Sequence, residues 1–333
     1  MGRPALARPD TPTPGWRRWA AAVPGGRGLL GAVRAWSFER GVVRLAPQLY
    51  HEPAFLPYRF AGPTVVTVHD LSWLCFAHLH PPERARALAE RMPRIIASAH
   101  RILADSQFVA DEICSHFPDA AQRVRVVHLG VDASFCPATP EATYTVLSGL
   151  GLRHGAYVLA VGTLEPRKNL ATLVRAYADL PLSLRQRFPL AIVGDRGWGD
   201  PLSGLPLERL RREACFKLLG YLPESMLPAI YAGAATFVYP SLYEGFGLPP
   251  LEAMACGAPV IVSDRGSLPE VTGNAAVQLT ALDVDAMRAA LQALLEDAPA
   301  RAALATAGAR HARTFTWEAC VERTFAVYRE LLP

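Results

Sequence analysis

The sequence predicts an α/β protein built from two doubly wound domains. Three observations predict it. The chain has 333 residues, enough for two domains of ordinary size. From Thr64 onward, short β-branched and apolar runs alternate with helical patterns, the mark of parallel βαβ units. Near the middle, Gly130-Val131-Asp132 and the Pro137 to Pro140 segment interrupt that alternation. An apolar fraction of 51% with 19% charged residues excludes wholesale disorder. No stretch reaches the roughly 18 to 20 uninterrupted apolar residues of a membrane-spanning helix.

Taken in order, residues 1–44 are expected to be irregular or loosely ordered. The first 18 are rich in Pro and Arg and lack the apolar core of a secretory signal. Gly26-x-Gly28-x-x-Gly31 spells a dinucleotide fingerprint, but no strand precedes it, and the strand gives that motif its meaning. Residues 45–138 form a first domain and 139–314 a second. Strands are expected at 64–68, 101–104 and 124–127, then at 157–161, 190–193, 236–239, 260–262 and 276–279. The run at 64–68 is apolar throughout, as in a strand covered on both faces. Residues 315–333 read as an amphipathic helix returning toward the first domain. Trp317, Val321, Phe325, Tyr328 and Leu332 share one face; Glu318, Glu322, Arg323 and Arg329 take the other.

The formal net charge is +4, and nine arginines against Asp10, Glu39 and Glu52 place the basic bias in the first 60 residues. No nucleic-acid-binding module accompanies it, so nucleic acid is not an expected partner. Six scattered cysteines with no C-x-x-C pair suggest neither zinc nor disulfides, and a reducing cytosol fits.

The most informative stretch runs from Ser241 to Glu252, directly after the expected strand 236–239, where ligands bind in open α/β sheets. Gly245 and Gly247 permit close backbone approach, and Pro249 and Pro250 suit the first turn of a helix. The free amides there favour an anionic or hydroxyl-rich ligand, and Glu244 and Glu252 offer acceptors for sugar hydroxyls. The alternative makes Glu252 a complement to the helix dipole and Glu244 a solvated turn residue. His69-Asp70 follows a strand and is read as a site residue against the alternative of a satisfied core histidine. His78 and His80 read as loop residues, Glu270 as surface, and Asp283 of Asp283-Val284-Asp285 as a helix N-cap.

The string YEGFGLPPLEAMACGAPVIVSD resembles the E-x(7)-E signature of the retaining family 4 (group 1) glycosyltransferases, and GTLEPRKN resembles their phosphate-binding turn. Gly220-Tyr221-Leu222-Pro223, Gly194-Asp195, Val68-His69-Asp70, Ala104-Asp105-Ser106 and Phe315-Thr316-Trp317 stand in the family's order, over about residues 47 to 330. The resemblance implies two facing Rossmann-like domains of the GT-B type and transfer of a hexose, with mannose and a GDP-mannose donor favoured. The acceptor is carbohydrate or lipid-linked, and surface polysaccharide assembly is the setting. Glu244 then holds hydroxyls of the transferred sugar, Glu252 the ribose, and Gly245, Phe246, Gly247 and Leu248 the sugar and phosphate. Lys168 neutralises the leaving diphosphate. Arg167 shares that role or is a solvated surface residue, because relatives carry an Arg where this chain has Thr163. Gly162, Thr163, Gly194, Tyr221 and Leu222 complete the donor site, and His69 sits beside the transferred sugar. No cofactor or metal is implied, and attack on the front face is expected because no carboxylate is identified as a nucleophile.

The basic helix around Arg84, Arg86, Arg91, Arg94 and Arg101 is either a peripheral membrane contact or a solvated face. The family's opening strand, Gly-rich loop, helix and next strand are not found before Leu45. A late start with impaired transfer is therefore expected, and a nucleotide-sugar-binding or scaffolding protein, or a related phosphorylase or epimerase, remains the alternative.

Overall fold

The structure, a computed structural model, describes residues 26–53 and 57–332. The described strands form two all-parallel sheets. The first holds β1 (Tyr50–Glu52), β2 (Thr64–Val68), β3 (Arg101–Ala104) and β4 (Val124–Val126), neighbours in chain order. The second contains β5 (Val158–Val161), β6 (Leu190–Val193), β7 (Phe216–Gly220), β8 (Thr236–Tyr239), β9 (Val260–Ser263) and β10 (Val277–Leu279), in the spatial order β10-β9-β8-β5-β6-β7. Such strands need helices on both faces, and alternate residues of β5 serve separate layers. Val158 and Ala160 enter one core cluster, Leu159 the other.

Two strands escaped the sequence reading, β1 and β7, and both lie at sheet edges. An edge strand is not enclosed on all sides, so Tyr50-His51-Glu52 and the Lys217 of β7 break the apolar run that marks a buried strand.

The N-terminal expectation is corrected where the structure describes it. Gly26–Leu45 is a helix, so the glycines of the fingerprint lie in helical backbone and not in a loop. Phe38 of that helix packs on Tyr50 and Tyr58 with ring centroids 4.8 Å apart. A helix and a strand therefore precede β2, and β1 pairs along one edge of β2. The Pro- and Arg-rich residues 1–18 lie outside the described residues.

The terminal helix Trp317–Arg329 packs on the first sheet, but with a different face from the one expected. Cys320 and Val327 join Val65, Leu103 and Val127, while Trp317, Val321 and Phe325 are exposed. Tyr328 Oη lies 2.6 Å from His51 Nδ1, and Glu330 pairs with Arg101 at 2.7 Å and Arg125 at 2.9 Å. The two chain segments joining the domains run side by side, with Val131 N–H donating to Phe315 O at 3.1 Å. A Cβ on Gly130 would lie 2.2 Å from Trp317 N, so only glycine fits that crossing.

Candidate active site

The second sheet has one topological switch point. From β5 the chain moves outward through β6 and β7; from β8 it moves the other way through β9 and β10. The loops leaving β5 and β8 therefore diverge at neighbouring strand ends and leave a crevice there. Gly162 to Asn169 leaves β5, Pro240 to Gly247 leaves β8, and their charged residues meet.

Glu244 is 7% exposed, and its Oε1 accepts from Lys168 Nζ at 2.6 Å while Arg167 Nη1 lies 3.1 Å from Oε2. Burial alone would raise this carboxyl, but the two cations outweigh burial and hold it at about 2. Burial pushes Lys168 down, but Glu244 and Tyr239 together leave it raised, and its ammonium also donates to Tyr239 Oη at 2.6 Å. Arg167 donates to Glu165 Oε1 and the Tyr243 carbonyl, both at 2.7 Å. Its side chain is 13% exposed and ion-paired, so Arg167 is not a solvated surface residue. Lys168 is equally far from being a surface lysine.

The loop carrying Glu244 is shaped from behind. Ser267 N–H and Oγ both donate to the Glu244 carbonyl at 3.0 Å, and Oγ also donates to the Phe246 carbonyl at 2.6 Å. Gly266, with φ +62, brings its Cα so near that a Cβ would lie 2.5 Å from Glu244 O. Neither Gly266 nor Ser267 stood out in the sequence, since one glycine and one serine in a loop are ordinary.

The other expected donor residues follow the carboxyl ends of β5, β6, β7 and β8. Gly194 backs onto Gly162, where a Cβ would lie 1.9 Å from Gly162 O. Thr163 is exposed, Tyr221 is half exposed and Leu222 is buried. Gly247 and Leu248 begin the helix Leu248–Ala255, and Phe246 is buried against Phe315. Glu252 accepts from Tyr231 Oη at 2.9 Å, and burial raises its carboxyl. A cavity of 670 Å³ adjoins Leu164, Gly194 and Gly220 and extends to Trp198 and Arg211.

The first domain closes the crevice. His69 follows β2 with Nδ1 2.6 Å from Asp105 Oδ2 and Nε2 2.7 Å from the Pro53 carbonyl. The Asp105 contact raises its pKa against the opposing effect of burial. A carboxylate and a carbonyl only accept, so both contacts favour the doubly protonated ring of His69. Nitrogen NMR near neutral pH should show both His69 nitrogens protonated; a neutral tautomer there would contradict this geometry.

One assignment is corrected. Glu270 is not a surface residue: its carboxylate accepts from the Gln107 and Phe108 amides at 2.8 and 3.0 Å, capping the helix Gln107–His116 of the opposite domain. It also lies 2.7 Å from His128 Nε2. His80 is the loop residue expected, but a buried one, packed against Trp198 of the second domain, whose Nε1 donates to Leu79 O at 2.6 Å. His78 is exposed. Asp283 caps its helix by accepting from Ala286 N–H at 2.8 Å.

Two parallel-sheet domains meet across a crevice, with a carboxylate held by two cations at the switch point, which is the architecture expected of a GT-B glycosyltransferase. The chain matches Glycosyl transferases group 1 over residues 153–311 and Glycosyltransferase Family 4 over residues 9–135. It is 40% identical over 284 residues to O-antigen chain mannosyltransferase B of Escherichia coli, covering 85% of this chain and 74% of that one. Its fold is shared with WaaG, a glycosyltransferase involved in lipopolysaccharide biosynthesis (TM-score 0.72, 17% identity, 91% of this chain and 83% of that one). It is shared also with HepE of Anabaena in complex with UDP and glucose (TM-score 0.67, 22% identity, 81% and 72%). The chain belongs to the group 1 family of glycosyltransferases and is a hexose-transferring enzyme.

Proposed function

We propose that this enzyme transfers mannose from GDP-mannose to a carbohydrate or lipid-linked acceptor with retention at the anomeric carbon. The observation that carries the reading is the Glu244 carboxylate held between Lys168 and Arg167 at the switch point. Before donor binds, Glu244 balances the charge of both cations. A diphosphate entering the crevice competes for Lys168 and Arg167, which frees the carboxylate to accept from sugar hydroxyls. Two roles thus come from one ion cluster, with Glu252 assigned to the ribose.

When the bond from the anomeric carbon to phosphate breaks, negative charge grows on the departing diphosphate. Preorganised Lys168, Arg167 and the amides around Gly247 meet it. The acceptor oxygen bonds to the same face of the carbon, and its proton passes to the departing phosphate oxygen. His69, as an imidazolium, adds positive charge on the first-domain side. These cations supply the charge stabilisation a divalent metal would otherwise provide. Mannose is supported by the named E. coli relative, an O-antigen chain mannosyltransferase.

No described helix is long and apolar enough to cross a membrane. A peripheral contact is supported by the helix Gly26–Leu45, where Trp36 and Val43 are 56% and 84% exposed beside Arg40 and Arg44. In the helix first considered for that role, Arg84 lies over the Trp198 ring.

The test is turnover of GDP-mannose and UDP-glucose, each with and without EDTA, with the product's anomeric configuration read by NMR. GDP-mannose should be preferred, EDTA should leave its turnover largely intact, and the new linkage should keep the donor's configuration. Loss of activity with rescue by magnesium, or an inverted product, would refute the mechanism; turnover of neither donor would refute the function.

A further inference from the structure

We propose that Tyr243 and Glu112 are a positioning pair that lets the first domain set the placement of Glu244 and Arg167 in the second. The inference rests on the donor site proposed above and adds residues which touch no substrate.

Tyr243 directly precedes Glu244, yet its ring leaves its own domain. It is 1% exposed, with its centroid 5.3 Å from Phe76 and 5.6 Å from Phe108, both in the first domain. Its hydroxyl accepts from the Leu71 amide at 3.0 Å and donates to Glu112 Oε2. The Cys75 thiol donates to the other Glu112 oxygen at 3.3 Å, so the carboxylate is engaged on both sides. Glu112 lies on the helix that Glu270 caps from the opposite domain.

On the site side, the Tyr243 carbonyl accepts from Arg167 Nη1, the same nitrogen that reaches Glu244. One residue therefore has its side chain anchored in the first domain and its backbone bonded to a donor-site cation. Two residues on, the backbone is held as well, since the Gly245 carbonyl accepts from Ser106 Oγ at 2.6 Å. Leu71 and Cys75 follow His69 in the chain, so the anchor ties together the loops that carry the cleft's charges. If the domains part, the loop at 243–245 loses its outer partners together. The loop that carries Glu244 and accepts from Arg167 is then fully positioned only when the cleft is closed, which suppresses reaction of donor with water in the open state.

Tyr243→Phe keeps the buried ring and removes only the hydroxyl, so it should fold; Glu112→Gln is the partner variant. Hydrogen exchange of the protein without ligand should rise in residues 69–76 and 243–248 of Tyr243→Phe. Transfer turnover from GDP-mannose should fall tenfold or more in both variants, while GDP affinity changes less than threefold, because the second domain retains its nucleotide contacts. Unchanged exchange in Tyr243→Phe, or GDP affinity lost as much as turnover, would overturn the proposal. Absence of transfer in the parent protein would count against the donor assignment instead, and the exchange measurement would still decide the coupling.

Discussion

Lys168→Met is expected to lower transfer turnover by two orders of magnitude or more, because the departing diphosphate loses a cation in a site sheltered from water. The same change should destabilise the protein. Lys168 is buried beside Glu244, and removing one partner of a buried ion pair typically costs about 3 kcal/mol or more. Arg167 stays 3.1 Å from the carboxylate, so the loss should sit at the low end. The pH dependence follows from the sign of the shift. Glu244 is held at about 2 against an ordinary 4.5, so its contribution to stability is present above 4.5 and lost as pH falls through about 2. Without Lys168 the carboxyl rises, that contribution shrinks, and it vanishes at a higher pH. Melting temperatures measured across acidic pH, beside initial rates of transfer, check both claims. Unchanged turnover in a folded variant would remove Lys168 from the reaction.

Gly245→Ala should be as damaging to transfer for a different reason. A Cβ there would lie 1.8 Å from the His69 carbonyl and 2.9 Å from Asp70 Cβ, and neither neighbour is the end of a flexible side chain. The second-domain loop must back away from the first domain, so the cleft cannot close as it does in the structure. Transfer should drop by about a hundredfold, the rate effect of roughly 2.7 kcal/mol of barrier. Binding of a nucleoside diphosphate should stay within a few-fold, because its contacts belong to the second domain. Calorimetry with GDP alongside transfer rates separates the two readouts. Full transfer by Gly245→Ala would show that the closed contact at His69 is dispensable. The sequence reading had this glycine permit close backbone approach, and the structure shows the His69 backbone making one such approach.

Much of the fold was legible because β2, β5, β6, β8 and β9 are enclosed on both faces, and enclosure writes continuous β-branched and apolar runs into a sequence. The same reasoning missed β1 and β7 at the sheet edges, where a polar residue costs little. It also misjudged the terminal helix. Periodicity pointed to Trp317, Val321 and Phe325, yet the packed side carries Cys320 and Val327, since a pattern of apolar residues does not say which face a neighbour covers.

What the sequence by itself determined is the class of chemistry. Glu244, Glu252, Arg167 and Lys168 occur in local strings whose spacing survives from chain to structure, because each string occupies one strand–loop–helix unit. What only the tertiary structure decided is how those strings meet. Lys168 and Glu244 are far apart in the chain and come together because β5 and β8 are neighbours where the sheet changes direction. Glu270, Tyr243, Glu112 and Gly245 acquire their roles from the opposite domain. No spacing along one chain encodes a contact between two domains, because such contacts depend on a relative placement that the packed linkers and terminal helix impose.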